Sequence, residues 1–342
     1  MNFASLISNN STLIHNLAGR NCLTLGGAPL NSMISIIIPC YNSELFIHRA
    51  LNSVLKQTWK DWELILVNNN STDKTLSLLE DFKKEHSAHR IHVFTETKKG
   101  APAARNRGIK EATGIWVQFL DADDEILPEK LAGQLALAAE QNASIVVSPY
   151  QKQGIREKNY FSYTRALYNT DAWSALIFSQ MGITSSNLFK RDALLAVNGW
   201  NETLVASQEY DLMFRILQSG AVVAFDNRVL TKVHVGAWES VSRSKSGDKA
   251  RKILESRINL RLRIKDYLES KGMITDERLY LINKFIYETL IRNYRFYPDD
   301  VLDLLSKIEL KLKTMDRLRG FYFMRKMDLK RFLVKSHLIK IN

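Results

Sequence analysis

Residues 116–125 read WVQFLDADDE, and this stretch decides how the rest of the chain is interpreted. Its first five residues suit a buried strand, and a cluster of acids follows at once. In an open α/β sheet, ligands bind beyond the carboxyl ends of the strands. Divalent cations such as Mg²⁺ combine one or two carboxylates with substrate phosphate. Asp121 and Asp123 therefore predict a metal and phosphate site, and the alternative is that Asp124 and Glu125 begin a helix, where acids are favoured.

The size and composition of the chain fit one large α/β domain with an appendage. It has 342 residues, of which 45% are apolar, as in ordinary soluble proteins. No apolar run in the sequence approaches the roughly 18 residues that a membrane span needs. The two cysteines, Cys22 and Cys40, are too few for a disulfide framework, and this favours a reducing cytoplasm.

The net charge of +12 is concentrated at the carboxyl-terminal end of the chain. Residues 246–342 hold 23 Lys/Arg against 13 Asp/Glu, whereas the first 245 residues hold 25 against 23. The charge therefore predicts an anionic partner surface for the carboxyl-terminal region and not for the candidate site.

Strand and helix patterns alternate from residue 33 onward. Short β-branched runs suited to buried parallel strands are separated by segments with the apolar period of helices. Strands are predicted at 34–38, 63–67, 91–94, 116–120, 144–148, 185–189, 221–225 and 229–235, and helices at 44–56, 74–85, 103–112, 128–141, 192–198 and 209–218. This alternation predicts an α/β fold with a doubly wound, mostly parallel sheet and flanking helices.

Three regions depart from this alternation. Residues 1–32 lack a clear period and the charged start of a signal peptide, so we expect a poorly structured extension. Residues 151–173 are aromatic and charged, and we expect an irregular loop over an acceptor or a packed surface insertion. Beyond residue 242, only helices are predicted, at 253–268, 279–291, 301–312 and 318–334. The predicted organisation is an extension (1–32), an α/β domain (33–245) and a basic α-helical region (246–342).

Four motifs, taken in order, resemble those of glycosyltransferase family 2. They are Pro39-Cys40-Tyr41-Asn42, NNNSTD at 68–73, GAPAARN at 100–106 and LDADD at 120–124. Each motif is weak alone, but their order and spacing, with GWNE at 199–202 and EYDL at 209–212 downstream, make the resemblance specific. It covers about residues 33–240. It implies the GT-A fold and an inverting, hexosyltransferase-type transfer from a nucleotide-diphosphate sugar.

The resemblance assigns the acidic cluster to a divalent metal, Mn²⁺ or Mg²⁺. Negative charge builds on the departing diphosphate, and a bound cation would stabilise that charge. Asp123 would coordinate the metal, and Asp121 would reach the ribose or the metal shell. His234 follows a later strand, where similar enzymes place a third ligand, although an isolated histidine is more often structural.

The resemblance also implies a nucleotide pocket. Pro39 and Tyr41 end the first strand and would place backbone carbonyls and an aromatic ring at the crevice. Asn69 stands where the family usually has an Asp, and its carbonyl oxygen can still accept a hydrogen bond from the base. Because the charge is lost there, the identity of the base stays open. Arg105 would lie near the base or a phosphate, or else form a surface salt bridge.

Inversion requires a base that takes the proton of the acceptor hydroxyl. The family uses the second acid of a Glu-Asp pair that opens a helix, and this chain reads Gln208-Glu209-Tyr210-Asp211. We expect Glu209 to be the base, with Asp211 as the fallback on a different face of the helix. The alternative is that Glu209 only caps the helix.

Two functions stay open on these residues. One is an active glycosyltransferase of cell-envelope polysaccharide biosynthesis that uses a glycan, glycolipid or lipid-linked acceptor. The other is a weak or inactive module that binds nucleotide sugars or glycans, because Asn69 and Gln208 depart from the family pattern. A nucleotidyltransferase and a dehydrogenase are disfavoured, since their glycine-rich loops do not follow the first strand.

The basic helices of residues 246–342 interleave aromatic and cationic residues and predict contact with an anionic membrane surface. A helical cap or a dimer surface is the alternative. Nucleic acid is not expected as a partner, because no reading motif is present in the sequence. We expect a cytoplasmic protein attached peripherally to the inner face of the cytoplasmic membrane.

Overall fold

The computed structural model describes residues 24–25, 28–29, 32–156, 159–167, 171–236 and 247–335. Two short strands, β1 (Thr24–Leu25) and β2 (Ala28–Pro29), pair antiparallel ahead of the main domain. Most of the predicted extension 1–32 and most of the predicted boundary at 242–247 lie outside the described residues.

The remaining strands form two sheets. In chain order they are β3 (Ile34–Cys40), β4 (Trp62–Asn68), β5 (Ile91–Thr95), β6 (Trp116–Phe119), β7 (Asp124–Ile126), β8 (Ile145–Val147), β9 (Tyr150–Arg156), β10 (Asn159–Arg165), β11 (Leu188–Lys190), β12 (Val223–Phe225) and β13 (Thr231–Val235).

The described residues form a seven-stranded sheet in the order β12-β8-β11-β6-β3-β4-β5. Its neighbours are parallel except at β11, which runs antiparallel to both β6 and β8. The apolar run of β3 is buried on both faces, with Ile36 and Ile38 in one core and Ile37 in the other. The predicted α/β fold with a mostly parallel sheet is confirmed.

Helices cover both faces of this sheet. In chain order they are α1 (Ile47–Leu55), α2 (Thr75–Glu85), α3 (Ala101–Glu111), α4 (Lys130–Glu140), α5 (Ala172–Ile177), α6 (Arg191–Ala196) and α7 (Gln208–Gln218). One core takes residues from α1, α2 and α4, and the other takes residues from α3, α5 and α7. Because β3, β4 and β6 run parallel, their carboxyl ends lie at one edge of the sheet, and the candidate site is at that edge.

A second, four-stranded sheet has the order β10-β9-β13-β7. It rules out one alternative and corrects one prediction made from the sequence. Asp124 and Glu125 begin strand β7, which pairs with β13, and do not begin a helix. Residues 150–165 form the antiparallel hairpin β9–β10 and not an irregular loop. The hairpin was missed because β10 is largely exposed. Neither of its faces is buried, so its sequence lacks the alternation of apolar and polar residues that predicts a strand.

The predicted helical region is present as α8 (Gly247–Ser270), α9 (Asp276–Asn293), α10 (Pro298–Lys307) and α11 (Thr314–Lys335). Leu254 and Ile258 of α8 and Ile286 of α9 belong to the same core as α7. The helical region and the α/β domain thus share one apolar interior. Among the described residues, no helix is both long enough and apolar enough to cross a membrane.

Candidate active site

The acidic loop, residues 121–124, follows β6 and is closed by a tight turn. The Asp124 N–H donates to the Asp121 carbonyl oxygen at 3.0 Å. Ser185 Oγ accepts from the Asp121 N–H at 3.0 Å and donates to Asp124 Oδ2 at 2.6 Å. On α1, Arg49 Nη2 donates to the Asp123 carbonyl oxygen at 2.7 Å. Two residues distant in sequence therefore fix the shape of the loop.

The acidic loop carries an excess of negative charge. Asp124 is only 2% exposed, and its carboxylate accepts the Ser185 hydroxyl. Burial, and then the charges of Asp121 and Asp123, raise the pKa of Asp124 well above its usual range. The Ser185 hydrogen bond and the Arg49 charge oppose this rise only in part. A cation placed at this loop would relieve the repulsion between its carboxylates.

Arg105, on α3, forms an ion pair with the acidic loop. Its Nη2 donates to Asp121 Oδ1 at 2.6 Å, and its guanidinium lies over the Trp200 ring, 4.6 Å from the ring centroid. The Arg105 side chain is 8% exposed, whereas the Asp121 side chain is 36% exposed. The pair is therefore anchored on the arginine side and open on the carboxylate side, and it joins two residues predicted for the donor site.

The turn that carries Trp200 is fixed to α3 by Asn106. Asn106 Oδ1 accepts the Trp200 N–H at 2.8 Å, and Asn106 Nδ2 donates to Glu202 Oε1 at 2.7 Å. Gly199 has a φ of 62°, and a Cβ at this position would collide with Asn106 Oδ1. Lys98 Nζ lies 2.5 Å from Glu202 Oε2. These contacts join the loop before α3 to the turn and hold Trp200 against Arg105.

Asn69 is buried, and its amide group is used within the protein. Its Oδ1 accepts the Gly100 N–H at 2.8 Å, and its Nδ2 donates to the carbonyl oxygens of Glu96 and Lys98 at 2.9 and 2.8 Å. The Asn69 side chain thus holds the segment that leads into α3. This contact set explains an amide at this position, because a carboxylate could not donate to the two carbonyls.

Pro39 and Tyr41 lie at the carboxyl end of β3, as predicted. Pro39 is paired with Val67 in the sheet, and the Tyr41 ring is 61% exposed. Asn42 follows with a φ of 45°, and its Oδ1 accepts the Thr72 N–H at 2.8 Å. The exposed ring of Tyr41 is therefore open to a ligand at the edge of the sheet.

Glu209 lies in the first turn of α7 and is half-buried. Thr184 Oγ1 is 3.4 Å from Glu209 Oε2. Burial raises the pKa of Glu209, the Arg105 and Arg257 charges lower it, and the Asp121 charge raises it. Because Arg105 and Asp121 both act on Glu209, the candidate base and the donor-side residues share one neighbourhood.

Asp211, the fallback base, is bound by two arginines. It is buried, with Arg215 Nε 2.9 Å from Oδ2 and Arg263 Nη1 2.7 Å from Oδ1. Arg215 Nη1 also donates to the carbonyl oxygens of Val197 and Gly199, at 2.5 and 2.8 Å. Asp211 thus links α7, the 197–199 segment and α8, and both of its carboxylate oxygens are already paired.

His234 lies on β13 beside the acidic loop. Its Nε2 is 3.4 Å from Glu125 Oε2, and its Nδ1 is 3.5 Å from Gln153 Nε2. Burial and the Arg49 charge lower the pKa of His234, while Glu125 opposes this. Within the part of the chain that the structure describes, no group of three or more His, Cys, Asp or Glu residues could hold a metal ion by itself.

Residues 35–196 match the family model of glycosyl transferase family 2. The chain carries a glycosyltransferase family 2 domain. The uncharacterized glycosyltransferase EpsJ of Bacillus subtilis is 38% identical over 129 residues, which are 37% of each chain. The UDP-Glc:alpha-D-GlcNAc-diphosphoundecaprenol beta-1,3-glucosyltransferase WfgD of Escherichia coli is 38% identical over 120 residues, 35% of this chain and 46% of the relative. The matched residues thus span less than half the length of these relatives.

Solved structures share the fold of this chain. S. aureus TarS 1–349, in complex with UDP-GlcNAc, matches 78% of this chain and 74% of its own with a TM-score of 0.57 and 19% identity. The mannosyltransferase PcManGT from Pyrobaculum calidifontis, in complex with GDP-Man and Mn²⁺, matches 95% of this chain and 94% of its own with a TM-score of 0.56 and 16% identity. The predicted family and GT-A fold are confirmed.

Several residues of this family 2 site were missed by the sequence analysis. Ser185 joins Asp121 to Asp124, and Arg263 binds Asp211 from α8. The run Thr184-Ser185-Ser186-Asn187 is entirely polar and lies directly before β11, and it could have indicated buried polar contacts. No comparable signal marks Arg263, whose partner is 52 residues away.

Proposed function

We propose that the protein is an inverting glycosyltransferase that moves a sugar from a nucleotide-diphosphate sugar to a hydroxyl of a glycan, glycolipid or lipid-linked acceptor. One observation carries this proposal: Arg105 and Asp121 form an ion pair of 2.6 Å at the open edge of the sheet, and the charges of both residues shift the pKa of the half-buried Glu209. A donor held by the first two residues would therefore lie beside a carboxylate. The family 2 domain and the relative WfgD support a transferase.

The acidic loop fits a divalent metal, Mn²⁺ or Mg²⁺, on the donor side. Burial, and then the charges of Asp121 and Asp123, raise the pKa of Asp124, and an added cation would offset those acidic neighbours. We propose that Asp123 holds the cation and that Asp121 contributes to its shell or to the ribose, with donor phosphates supplying further oxygens. When bound, such a cation would stabilise the negative charge of the leaving diphosphate. The complex of PcManGT with GDP-Man and Mn²⁺ supports a metal of this kind.

We assign His234 a weaker role at this metal. Both of its ring nitrogens already face protein groups, Glu125 and Gln153, at 3.4 and 3.5 Å. To act as a third metal ligand through Nε2, His234 would have to give up its contact with Glu125. Positioning of β13 against β7 is the role that these contacts support best.

The nucleotide would lie over the ends of β3 and β4. The exposed ring of Tyr41 offers a stacking surface, and Pro39 offers the backbone at the strand end. Asn69 would act mainly by shaping the loop before α3, since its oxygen already accepts from Gly100. One lone pair of that oxygen is left for a base N–H.

Glu209 would take the proton of the acceptor hydroxyl as its oxygen attacks the anomeric carbon. Its raised pKa makes it a stronger base than an exposed glutamate. Asp211 suits this role less well, because Arg215 and Arg263 occupy both of its oxygens. The Thr184 hydroxyl, 3.4 Å from Glu209, would orient the carboxylate.

An acceptor with a phosphate group suits the surroundings of Glu209. Arg257, an exposed residue of α8, acts on Glu209 with its positive charge, as Arg105 does from the donor side. The relative WfgD is named for a diphosphoundecaprenol acceptor. We therefore propose a lipid-linked diphosphate as the acceptor and cell-envelope polysaccharide synthesis as the setting. Such an acceptor would place the protein at the inner face of the cytoplasmic membrane.

Calorimetry with UDP-, GDP- and dTDP-linked monosaccharides, each with and without Mn²⁺, tests the donor side of the proposal. We expect one donor to bind in a Mn²⁺-dependent manner and to be hydrolysed slowly. Asp123→Asn should weaken the Mn²⁺-dependent binding by at least about 10²-fold, because even outer-shell partners of metal sites contribute 10- to 100-fold. The matched control is Asp81→Asn on the outer surface of α2.

The alternative function, an inactive binding module, predicts a different result. It expects donor binding without hydrolysis or transfer, and it rests on Asn69 and Gln208, which depart from the family pattern. The Gln208 side-chain amide donates to the Leu204 carbonyl oxygen at 2.8 Å and thus ties the start of α7 to the segment before it. Failure of every donor to bind a well-folded protein would overturn both functions.

A further inference from the structure

The last helix, α11, is held against α9 along one face. The Tyr280 hydroxyl donates to Asp316 Oδ2 at 2.7 Å, and the Tyr294 hydroxyl donates to Asp328 Oδ1 at 3.0 Å. Tyr280 lies in the second turn of α9 and Tyr294 directly follows that helix, and their partners lie twelve positions apart on α11. The inward face of α11 is therefore fixed between residues 316 and 328.

The middle of α11 comes close to α9 at Gly320. A Cβ at this position would collide with the Tyr287 hydroxyl, which donates to the Arg317 carbonyl oxygen at 3.3 Å. Met324 and Met327 pack on the main core from the same face. This face acts as the helical cap that was one alternative for the basic region.

The opposite face of α11 is apolar and exposed. Large apolar side chains that are at least half exposed line it: Met315 (59%), Leu318 (55%), Phe321 (54%), Tyr322 (71%) and Leu329 (59%). With about 100° between successive residues, positions 315, 318, 322 and 329 fall on one stripe, opposite Gly320 and Met327. A stripe of this kind on a protein surface marks a contact with another apolar surface.

Cations accompany this apolar stripe. Arg319, Arg325 and Lys326 are exposed on this side of the helix, and the Arg325 guanidinium lies 5.2 Å from the Phe321 ring centroid. Residues 311–335 hold nine Lys/Arg and two Asp, and both aspartates accept hydrogen bonds from α9 tyrosines on the inward face. The outward face therefore presents positive charge beside apolar side chains, with the acids of the helix turned away.

We infer that the outward face of α11 lies on the surface of an anionic lipid bilayer. Its apolar and aromatic side chains would enter the boundary between headgroups and acyl chains, and its arginines and lysine would meet lipid phosphates. A second copy of the chain suits this face less well, because a two-fold contact would bring its cations against one another. Nucleic acid suits the outward face less well, because its phosphates could pair with the cations but could not bury the apolar stripe.

The inference does not depend on the proposed chemistry. It rests on α11, whereas the residues proposed to bind the donor, and the proposed base Glu209, belong to the α/β domain. A protein that transfers no sugar would still bind the bilayer, and a protein that binds no bilayer would still bind its donor. The two proposals can therefore fail separately.

Sedimentation of the full-length protein with lipid vesicles tests the inference. The vesicles contain phosphatidylcholine alone or phosphatidylcholine with phosphatidylglycerol, at low and high salt. We expect strong recovery only with phosphatidylglycerol, weakened by salt. Equal recovery with both vesicles, or no recovery with either, would overturn the inference.

Two triple variants separate the roles of charge and apolar contact. Arg319→Gln with Arg325→Gln and Lys326→Gln should lower binding by about 10²-fold, since each basic residue near the surface contributes roughly a factor of five. Leu318→Gln with Tyr322→Gln and Leu329→Gln should lower it by at least about tenfold through lost apolar burial.

Matched controls come from other exposed sites. Arg292→Gln on α9 and Leu195→Gln on α6 alter an exposed cation and an exposed leucine elsewhere, and both should bind vesicles like the wild type. Unfolding temperatures establish that each triple variant is folded. Unchanged vesicle binding by both triple variants would overturn the inference, and so would a wild-type dimer that the apolar triple variant converts to monomer.

Discussion

The acidic loop and the start of α7 each carry a buried aspartate, and the two aspartates are neutralised in different ways. Asp124 in the loop accepts a serine hydroxyl, and burial and its acidic neighbours raise its pKa. Asp211 in α7 is paired with Arg215 and Arg263, one on each oxygen. The carboxylate of Asp124 is thus surrounded by acidic neighbours, whereas that of Asp211 has a guanidinium on each oxygen.

This difference indicates what each region is built to receive. Repulsion within the loop is relieved by an added cation, and that is the property a metal-dependent donor site needs. The arginines at Asp211 make it a structural link, whereas the Glu209 carboxylate meets the Thr184 hydroxyl at the longer distance of 3.4 Å. On α7, Asp211 thus links the helix to α8, and we propose that Glu209, two positions earlier, faces the site.

The largest effect that would test this contrast is expected for Glu209→Gln. Because a general base contributes typically 10²–10⁴-fold, we expect kcat to fall by at least about 10²-fold while donor affinity stays unchanged. Initial rates with a saturating donor, together with calorimetric donor binding, measure both quantities. Wild-type turnover in this variant would move the base to another residue.

Asp211→Asn should instead reduce stability. Removing one partner of a buried ion pair costs about 3 kcal/mol, and the partial exposure of Arg263 places the expected loss nearer to about 2 kcal/mol. Chemical denaturation measures this loss, and turnover per folded molecule should stay within about threefold of the wild type. A fully stable variant with turnover as low as that of Glu209→Gln would reverse the roles assigned to the two acids.

Ser185→Ala tests the loop itself. The loss of the hydroxyl removes the acceptor for the Asp121 N–H and the donor to Asp124, so the carboxylates should be less well placed for a metal. We expect Mn²⁺-dependent donor binding to weaken roughly tenfold, as for other supporting groups around metal sites. Ser77→Ala, on the exposed side of α2, is the matched control. Equal weakening without Mn²⁺ would indicate a general loss of structure.

The smallest expected effect is the pH dependence of Glu209. As a base it must be ionised, so activity should fall as the pH drops through its raised pKa, above the usual 4.5. The sign for stability is opposite: an acid whose pKa is raised on folding destabilises the folded protein at any pH above its unfolded value. Glu209→Gln should therefore raise the unfolding temperature near pH 7 and have little effect below about pH 4. A lowered unfolding temperature at pH 7 would contradict the raised pKa.

The sequence predicted those parts of the molecule whose signal is local. The apolar runs of β3 and β6 and the motifs at their ends lie within a few residues of one another, so the fold and the positions of Pro39, Asp121 and Asp123 could be predicted. The periodic apolar residues of α7 likewise placed Glu209 in the first turn of a helix.

The remaining parts depend on contacts between distant residues. Ser185 meets the loop across 64 positions, and Arg263 meets Asp211 across 52. The hairpin β9–β10 is held by strand pairing at the surface and has no buried face to impose a period. The hydrogen bonds of Asn69 to Gly100 and to two carbonyl oxygens could not be predicted either. The same amide atoms can bind a ligand or a neighbouring loop, and the sequence does not distinguish the two.

The apolar interior shared by α7, α8 and α9 has a consequence for proteolysis. Leu254 and Ile258 belong to the same apolar core as residues of the helix that carries Glu209, and Arg263 of α8 binds Asp211 on that helix. A protease that cleaved ahead of α8 would sever the covalent link between α7 and α8. Because α8 shares the apolar interior of α7 and Arg263 binds Asp211, we expect a fragment that ends before α8 to be less stable than the full chain.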